Sequence, residues 1–148
     1  FKWWVVATSA VVALSLVLGF YVMGSPLTQR LKRMDAERIN SLTQIQWQLI
    51  NYWQKKGELP KDIDELNDPI SGFIVPIDPE TEIPYQYEAV GDKVFKLCAN
   101  FSLESVGNST TPAKLPYISP ESENWSHKAG KNCFERKIDP ELYPTRKP

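Results

Sequence analysis

Two cysteines and one histidine are the residues of this chain whose side chains could form a disulfide or bind a metal ion. Cys98 and Cys133 lie far apart, which does not match the paired C-x-x-C knuckles of a zinc site. With His127 as the single histidine, a structural metal site is not expected. In an oxidising compartment the two thiols would pair, which is worth about 3–4 kcal/mol in the chain-entropy model. We therefore predict one intramolecular disulfide; the alternative is two separate buried thiols.

Acidic side chains form two short clusters that could ligate calcium, but neither has the spacing and glycine of an EF-hand loop. A solvated helix face and turn contacts are the better interpretation. Ser126 precedes His127, yet no Asp or Cys stands at a recognisable catalytic spacing, and no G-x-S-x-G, Walker or dinucleotide glycine motif is present. We therefore expect no enzyme, no cofactor and no metal. The clusters are Asp62, Asp64 and Glu65, and then Asp78, Glu80 and Glu82.

Three sequences match the acceptor pattern for N-glycosylation, at Asn100, Asn108 and Asn124. The pattern is short and is useful only where the glycosylation machinery exists. Chance and loop composition explain these matches at least as well, so they are candidate sites only. The formal net charge of the 148 residues is −1, and no basic stripe stands out. A nucleic-acid partner is therefore not expected.

The first element of the chain, which precedes all of these residues, is an uncharged apolar run at residues 3–23. A hydrocarbon core of about 30 Å needs about 20 apolar residues in a helix. Aromatic side chains at both ends are typical of membrane interfaces, and small residues within the run allow close approach of another helix. We predict a transmembrane or filament-core helix over residues 1–26, retained as an anchor. Its membrane- or core-facing residues are predicted to be Trp3, Trp4, Ala7, Ala10, Leu14 and Val17.

The sequence Gly24-Ser25-Pro26 predicts a helix break after this run, because Pro26 removes a backbone donor and disfavours helix at Ser25. An amphipathic spine helix is then expected over residues 27–57. Its apolar residues recur at spacings of three and four, so they share one face on which a small head can pack. Arg38 and other polar residues are expected to cover the rest. The predicted head-packing stripe is Ile39, Leu42, Ile45, Leu49 and Trp53.

Residues 58–148 are predicted to form a small globular head, giving an α+β fold. A short helix is expected at residues 61–66 and a short strand at 73–75. The clearest hairpin has strands at 85–90 and 93–99, with a third strand at 133–138. A long surface loop at 102–126 and an extended tail from Asp139 complete the head.

The order of anchor, proline break, amphipathic helix and helix-plus-hairpin head resembles the type IV pilins and the type II secretion pseudopilins. The local match is Tyr52-Trp53 through Gly57-Glu58-Leu59-Pro60 and Asp78-Pro79 to Pro84-Tyr85-Gln86-Tyr87, which is similar to the "Y…G.YP…L…DP…PY.Y" run of major pseudopilins. The resemblance implies a filament subunit, a C-terminal disulfide, and Phe1 as a processed and N-methylated terminus. This chain departs from the family at Val5, where a glutamate is usual.

From about Gly24 onward the chain is also similar to the C-terminal region of uncharacterised bacterial membrane proteins, some with several preceding membrane helices. That resemblance implies that the first helix is one span among several and that Phe1 is not a processed terminus.

We expect a structural subunit of a pilin-like extracellular filament, located at the cell surface and anchored in the membrane before assembly. Its partners would be copies of itself through the first helix, and the assembly machinery of such filaments. The alternative function is an extracytoplasmic sensing or scaffold domain tethered to a membrane protein.

The sequence gives conflicting signals about the side of the membrane on which the head lies. The positive-inside tendency of Arg30, Lys32 and Arg33 after the anchor favours the cytoplasm, whereas the expected disulfide favours the outside.

Overall fold

The structure, a computed structural model, describes residues 2–23, 25–105 and 124–145. The chain divides into two units, Phe1–Arg33 and Met34–Pro148, and the second is called the head below. The fold is of the predicted α+β class, with an N-terminal apolar helix and a small antiparallel sheet. The elements are helices α1 (Lys2–Met23) and α2 (Pro26–Lys56), a 3-10 turn (Ile63–Leu66), and strands β1 (Gln86–Ala89), β2 (Val94–Phe101) and β3 (Gly130–Lys137).

The boundary between α1 and α2 falls at the predicted break. Ser25 is not helical, and its carbonyl accepts the first hydrogen bond of α2, from Gln29 N at 3.2 Å. Pro26 is the first residue of α2, one residue earlier than predicted, because its fixed φ and missing N–H are compatible with a first helical turn. Gly24 lies outside the described residues.

Helix α2 buries its apolar stripe in the head. Leu42, Ile45 and Leu49 are fully buried, Trp53 is 4% exposed, and Ile39 is partly buried against the same cluster. The helix ends at Lys56 because Gly57 adopts a positive φ of 78° and donates its N–H to the carbonyl of Trp53 at 2.7 Å.

The three strands pair in the order β1-β2-β3, all antiparallel. Alternation along the strands gives the sheet one buried face, where Leu97 lies opposite Tyr87 on one side and Phe134 on the other. These side chains join the cluster formed by the stripe of α2. The opposite face is mostly polar and carries Lys96, Glu88 and the two cysteines. The sheet therefore packs on α2 with one face and leaves the other exposed.

Several predicted details of the head are wrong. The short helix expected at 61–66 is present as a 3-10 helix, Ile63–Leu66, but residues 73–75 form no strand beyond an isolated bridge between Asp68 and Phe73. The tail turns back on itself instead of lying extended, since Tyr143 N donates to Asp139 O at 2.9 Å. Tyr143 packs against the core, which explains the turn. Most of the predicted loop 102–126 lies outside the described residues, namely 106–123.

Candidate functional site

Helix α1 carries the largest exposed apolar surface among the described residues. Trp3 is 90% exposed and Trp4 is 79% exposed, and no residue of Lys2–Gly19 is buried. Within the described ranges, α1 is the one helix long and apolar enough to cross a membrane. Exposed apolar area is unfavourable in water by about 25 cal/mol per Å². Such a surface indicates contact with lipid or with another protein.

The serine and threonine hydroxyls of α1 form hydrogen bonds within the helix itself. The hydroxyl of Thr8 donates to Trp4 O at 2.9 Å, that of Ser9 to Val5 O at 2.8 Å, and that of Ser15 to Val11 O at 2.8 Å. An unsatisfied hydroxyl would be costly in an apolar environment. Because these donors are already paired, they place no unmet hydrogen-bond demand on a lipid or protein neighbour.

The six residues predicted to face the membrane or filament core are all exposed on α1. Five of them recur at spacings of four and three, so they share one side of the helix, and Trp4 lies beside them. Small residues near the middle of this side leave the backbone accessible to a neighbouring helix. Their contacts with other copies stay a prediction, and Phe1 lies outside the described residues. The five residues that share this side of α1 are Trp3, Ala7, Ala10, Leu14 and Val17.

The disulfide between Cys98 and Cys133 is confirmed. The two residues lie directly opposite each other on β2 and β3, with their Cα atoms 4.0 Å apart. They occupy the sheet face turned away from α2, where Cys98 is 9% exposed and Cys133 is exposed. The bond therefore links two neighbouring strands and closes the long connection between them.

A buried arginine was missed by the sequence analysis, which placed it on the polar face of the spine helix. Arg38 is 2% exposed and ranks among the largest fully buried side chains of the head. A sequence pattern could have revealed it, because Asp35 and Arg38 continue the three-and-four spacing of the stripe toward the N-terminus, ahead of Leu42. A charged pair on an apolar face indicates that partners come from elsewhere in the fold.

Three carboxylates surround the Arg38 guanidinium, and we call these four residues the charged junction. Nε donates to Asp78 Oδ2 at 2.7 Å, Nη1 to Asp35 Oδ1 at 2.8 Å, and Nη2 to Glu80 Oε2 at 2.6 Å. Nη1 also donates to the hydroxyl of Ser102 at 2.9 Å. Asp78 and Glu80 therefore do not form the solvated acidic cluster that was predicted; Asp78 is buried, and Glu80 is half-exposed.

The aspartates of the charged junction also bind backbone N–H groups. Asp78 Oδ1 accepts from Glu80 N at 2.9 Å and Thr81 N at 3.0 Å, which is the turn contact expected from sequence. Asp35 accepts from the N–H groups of Ser102 and Leu103 at 2.9 and 2.8 Å. The junction thus joins the start of the head's helix to a proline-rich turn and to the end of β2.

The electrostatics of the junction favour its charged form. Burial alone would raise the pKa of Asp78, but the hydrogen bonds from Arg38 and from the two backbone N–H groups outweigh it and lower the pKa to about 2. The hydrogen bond to Asp78 raises the pKa of Arg38 despite its burial. Because the arginine occupies the space between the carboxylates, the cluster is a structural clamp; in the described residues no group of acidic, His or Cys side chains could hold a metal ion.

His127 has a structural environment in the head. Its ring stacks on Phe101 with centroids 3.7 Å apart, and Nδ1 lies 2.8 Å from Trp125 O. Its backbone N–H donates to the hydroxyl of Ser105 at 2.9 Å, while Ser105 N donates to His127 O at 2.9 Å. These contacts hold together the two ends of the connection between β2 and β3.

Two of the three candidate glycosylation residues are described. Asn100 is exposed and lies within β2, opposite Lys131. Asn124 is exposed, and its side-chain oxygen accepts from Ser126 N at 2.9 Å in a local turn. Asn108 lies outside the described residues. All three therefore stay candidate sites.

Comparison with known protein families, with characterised proteins and with solved structures finds no match to this chain. A functional conclusion must therefore come from the chain's own surfaces. Two features stand out in the described residues: the exposed apolar side of α1, and the buried charged junction of the head.

Proposed function

We propose that this protein is a membrane-anchored structural subunit that associates with copies of itself through α1, in the manner of a pilin-like filament. The observation that supports this most is the exposure of the first 18 residues of α1, because no residue of Lys2–Gly19 is buried. A lipid bilayer can cover this surface while the protein is an anchor. Once the helix leaves the lipid, only other protein can do so.

The arrangement within α1 supports close packing of copies. Ala7 and Ala10 lie on the same side as Leu14 and Val17, so a small patch adjoins a larger apolar one. The hydroxyls of Thr8, Ser9 and Ser15 are satisfied within the helix and do not require a particular polar partner. The head, with its exposed polar sheet face, would then form the outer surface. Its disulfide favours an oxidising location, which suits a cell-surface filament.

A second candidate function is an extracytoplasmic sensing or scaffold domain tethered to a membrane protein. The observation that favours it is Val5, which removes the acidic side chain that the pilin family uses to pair with a neighbouring subunit. In that case α1 would contact lipid or other helices of its own protein. The two functions therefore differ in what covers the side of α1 that carries Ala10.

An Ala10→Cys variant tests the filament proposal directly. The side chain is exposed and lies in the middle of the proposed packing side, so mild oxidation should link neighbouring copies. Non-reducing electrophoresis of sheared cell-surface material is expected to show a disulfide-linked dimer, the largest product that one added thiol per copy can form, because Cys98 and Cys133 are already paired. Negative-stain microscopy of the same material should show filaments.

The control is Glu88→Cys, which places an equally exposed thiol on the polar face of the sheet. It is expected to give much less crosslinking than Ala10→Cys at the same oxidant concentration. Monomer alone in the membrane fraction for Ala10→Cys, with no filament in the surface fraction, would reject the filament proposal and favour the tethered domain.

A further inference from the structure

A cluster of three cations follows α1 directly in sequence. Arg30, Lys32 and Arg33 are all exposed on the first turns of α2. None of them forms an ion pair with any residue in the described part of the chain. In the head, by contrast, Arg38 is surrounded by three carboxylates. The positive charge beside α1 is therefore available to an external anion.

The same segment, residues 26–33, has an apolar side. Leu27 is 65% exposed and Leu31 is half-buried, and their spacing of four places them next to each other. Arg30 and Arg33 are three apart and also share a side. Basic and apolar residues arranged in this way are typical of helical segments that lie in the interface of a membrane, with leucines toward the acyl chains and cations toward the phosphates.

We propose that residues 26–33 bind the phosphate groups of anionic phospholipids at the surface of the membrane that α1 enters. This inference rests on the proposed anchoring of α1 and adds the lipid class that the adjoining segment recognises. It also accounts for a conflict in the charges: the positive-inside tendency would place these cations in the cytoplasm, whereas the disulfide favours an oxidising side. Lipid phosphates supply the missing counter-charge on that side.

The position of the cations suits this partner. Arg30 follows Met23, the last residue of α1, by seven residues. Seven residues in a helix span about 10 Å along the helix axis, which is comparable to the depth of the headgroup layer. Guanidinium groups bind phosphate oxygens with two parallel hydrogen bonds, and two of the three cations are arginines. A separation within the Debye length of about 10 Å at 0.1 M salt leaves the attraction only partly screened.

The test measures lipid binding by the full-length protein in a mild detergent, using native mass spectrometry. Phosphatidylglycerol and phosphatidylcholine with the same acyl chains are titrated separately. Each cation near an anionic surface contributes about a fivefold gain in affinity. The wild-type chain should therefore prefer phosphatidylglycerol, and Arg30→Gln/Lys32→Gln/Arg33→Gln should lose roughly tenfold or more of that affinity, with phosphatidylcholine binding unchanged. High salt should reduce the preference of the wild type.

The matched control neutralises three exposed lysines of the head, Lys128→Gln/Lys131→Gln/Lys137→Gln, and has the same net charge as the test variant. It should retain the lipid preference. An equal loss in both variants would overturn the proposal, because the effect would then depend on total charge alone. Inorganic phosphate binding as tightly as the lipid would also overturn it in favour of a free-anion site.

Flotation of the wild-type chain with pure phosphatidylcholine vesicles tests the anchor separately. A chain that floats but binds the two lipids equally would overturn the lipid inference and leave the anchor intact. A chain that does not float would overturn the anchoring on which the inference rests.

Discussion

Arg38 carries a full positive charge into the interior of the head. The cost of removing that charge from water is offset by close contacts with carboxylates, two of which are buried as well. Burying such a group is favourable only when its geometry is complete. Each of its three nitrogen donors has an acceptor at 2.9 Å or less, from Asp35, Asp78, Glu80 or Ser102. The stability of the head therefore depends on all members of the junction being present together.

Replacing Arg38 by methionine is expected to lower the free energy of unfolding of the head by about 3–5 kcal/mol. The reason is that the carboxylates of Asp35 and Asp78 remain buried without their cation. Denaturant unfolding of the full chain in a mild detergent, followed by tryptophan fluorescence, measures the change.

Arg33→Met serves as the control, because Arg33 is exposed on the same helix. We expect it to change the free energy of unfolding by less than about 0.5 kcal/mol. Similar midpoints for the two variants would show that the ion pairs of Arg38 add nothing net to stability.

The junction also marks where sequence reasoning fails at the level of single residues. Apolar periodicity identified Leu42, Ile45 and Leu49 because their burial depends on local spacing. The environment of Arg38 depends instead on Asp78 and Ser102, which lie 40 and 64 residues further along the chain. The local spacing can indicate that Arg38 lies on the buried side of α2, but it does not identify these distant partners, so the charged junction could not be predicted from sequence.

At the scale of elements, α2 performs two tasks along its length. Its first turns expose basic and apolar residues, whereas from Met34 onward it forms one wall of the core. The sheet packs on that second part through Phe95, Leu97 and Phe134. Leu49 is fully buried there, so it reports on the contact between helix and sheet.

Leu49→Ala is expected to destabilise the head by about 2–5 kcal/mol, from lost transfer free energy and from the cavity that remains. Gln44→Ala, at an exposed position of the same helix, is the matched control and should leave the unfolding midpoint almost unchanged. Equal midpoints for wild type and Leu49→Ala would mean that the helix does not contribute this contact to the folded state in solution.

Elements with a repeated local pattern were predictable, and those set by single contacts were not. The apolar run is continuous over residues 3–23, and the stripe and the hairpin each repeat one spacing of apolar residues. Each of these patterns corresponds to a helix or to strands in the structure. The C-terminal tail has no such repeat. Its turn depends on Asp139 Oδ1, which accepts from Glu141 N at 2.9 Å, and on the packing of Tyr143 against the core.

At the scale of the whole molecule, the disulfide closes the connection between β2 and β3. A Cys98→Ser/Cys133→Ser variant is expected to lose about 3–4 kcal/mol of stability in the chain-entropy model. β2 and β3 should stay paired, because their register extends well beyond the cysteines on both sides. Unfolding of this variant should match that of the wild type in reductant. If neither the double substitution nor the reductant lowers the unfolding midpoint, the disulfide does not stabilise the head by restricting its unfolded state.

The charged junction lies in the first turns of α2 that belong to the head. Tension transmitted along the chain from α1 therefore reaches Arg38 and Asp35 before it reaches the apolar stripe. There the force divides at once between the turn at Asp78 and the backbone of Ser102 at the end of β2. Because the Arg38 guanidinium and the Asp35 carboxylate each bind more than one segment, a load on this part of α2 would be shared among several bonds instead of falling on one.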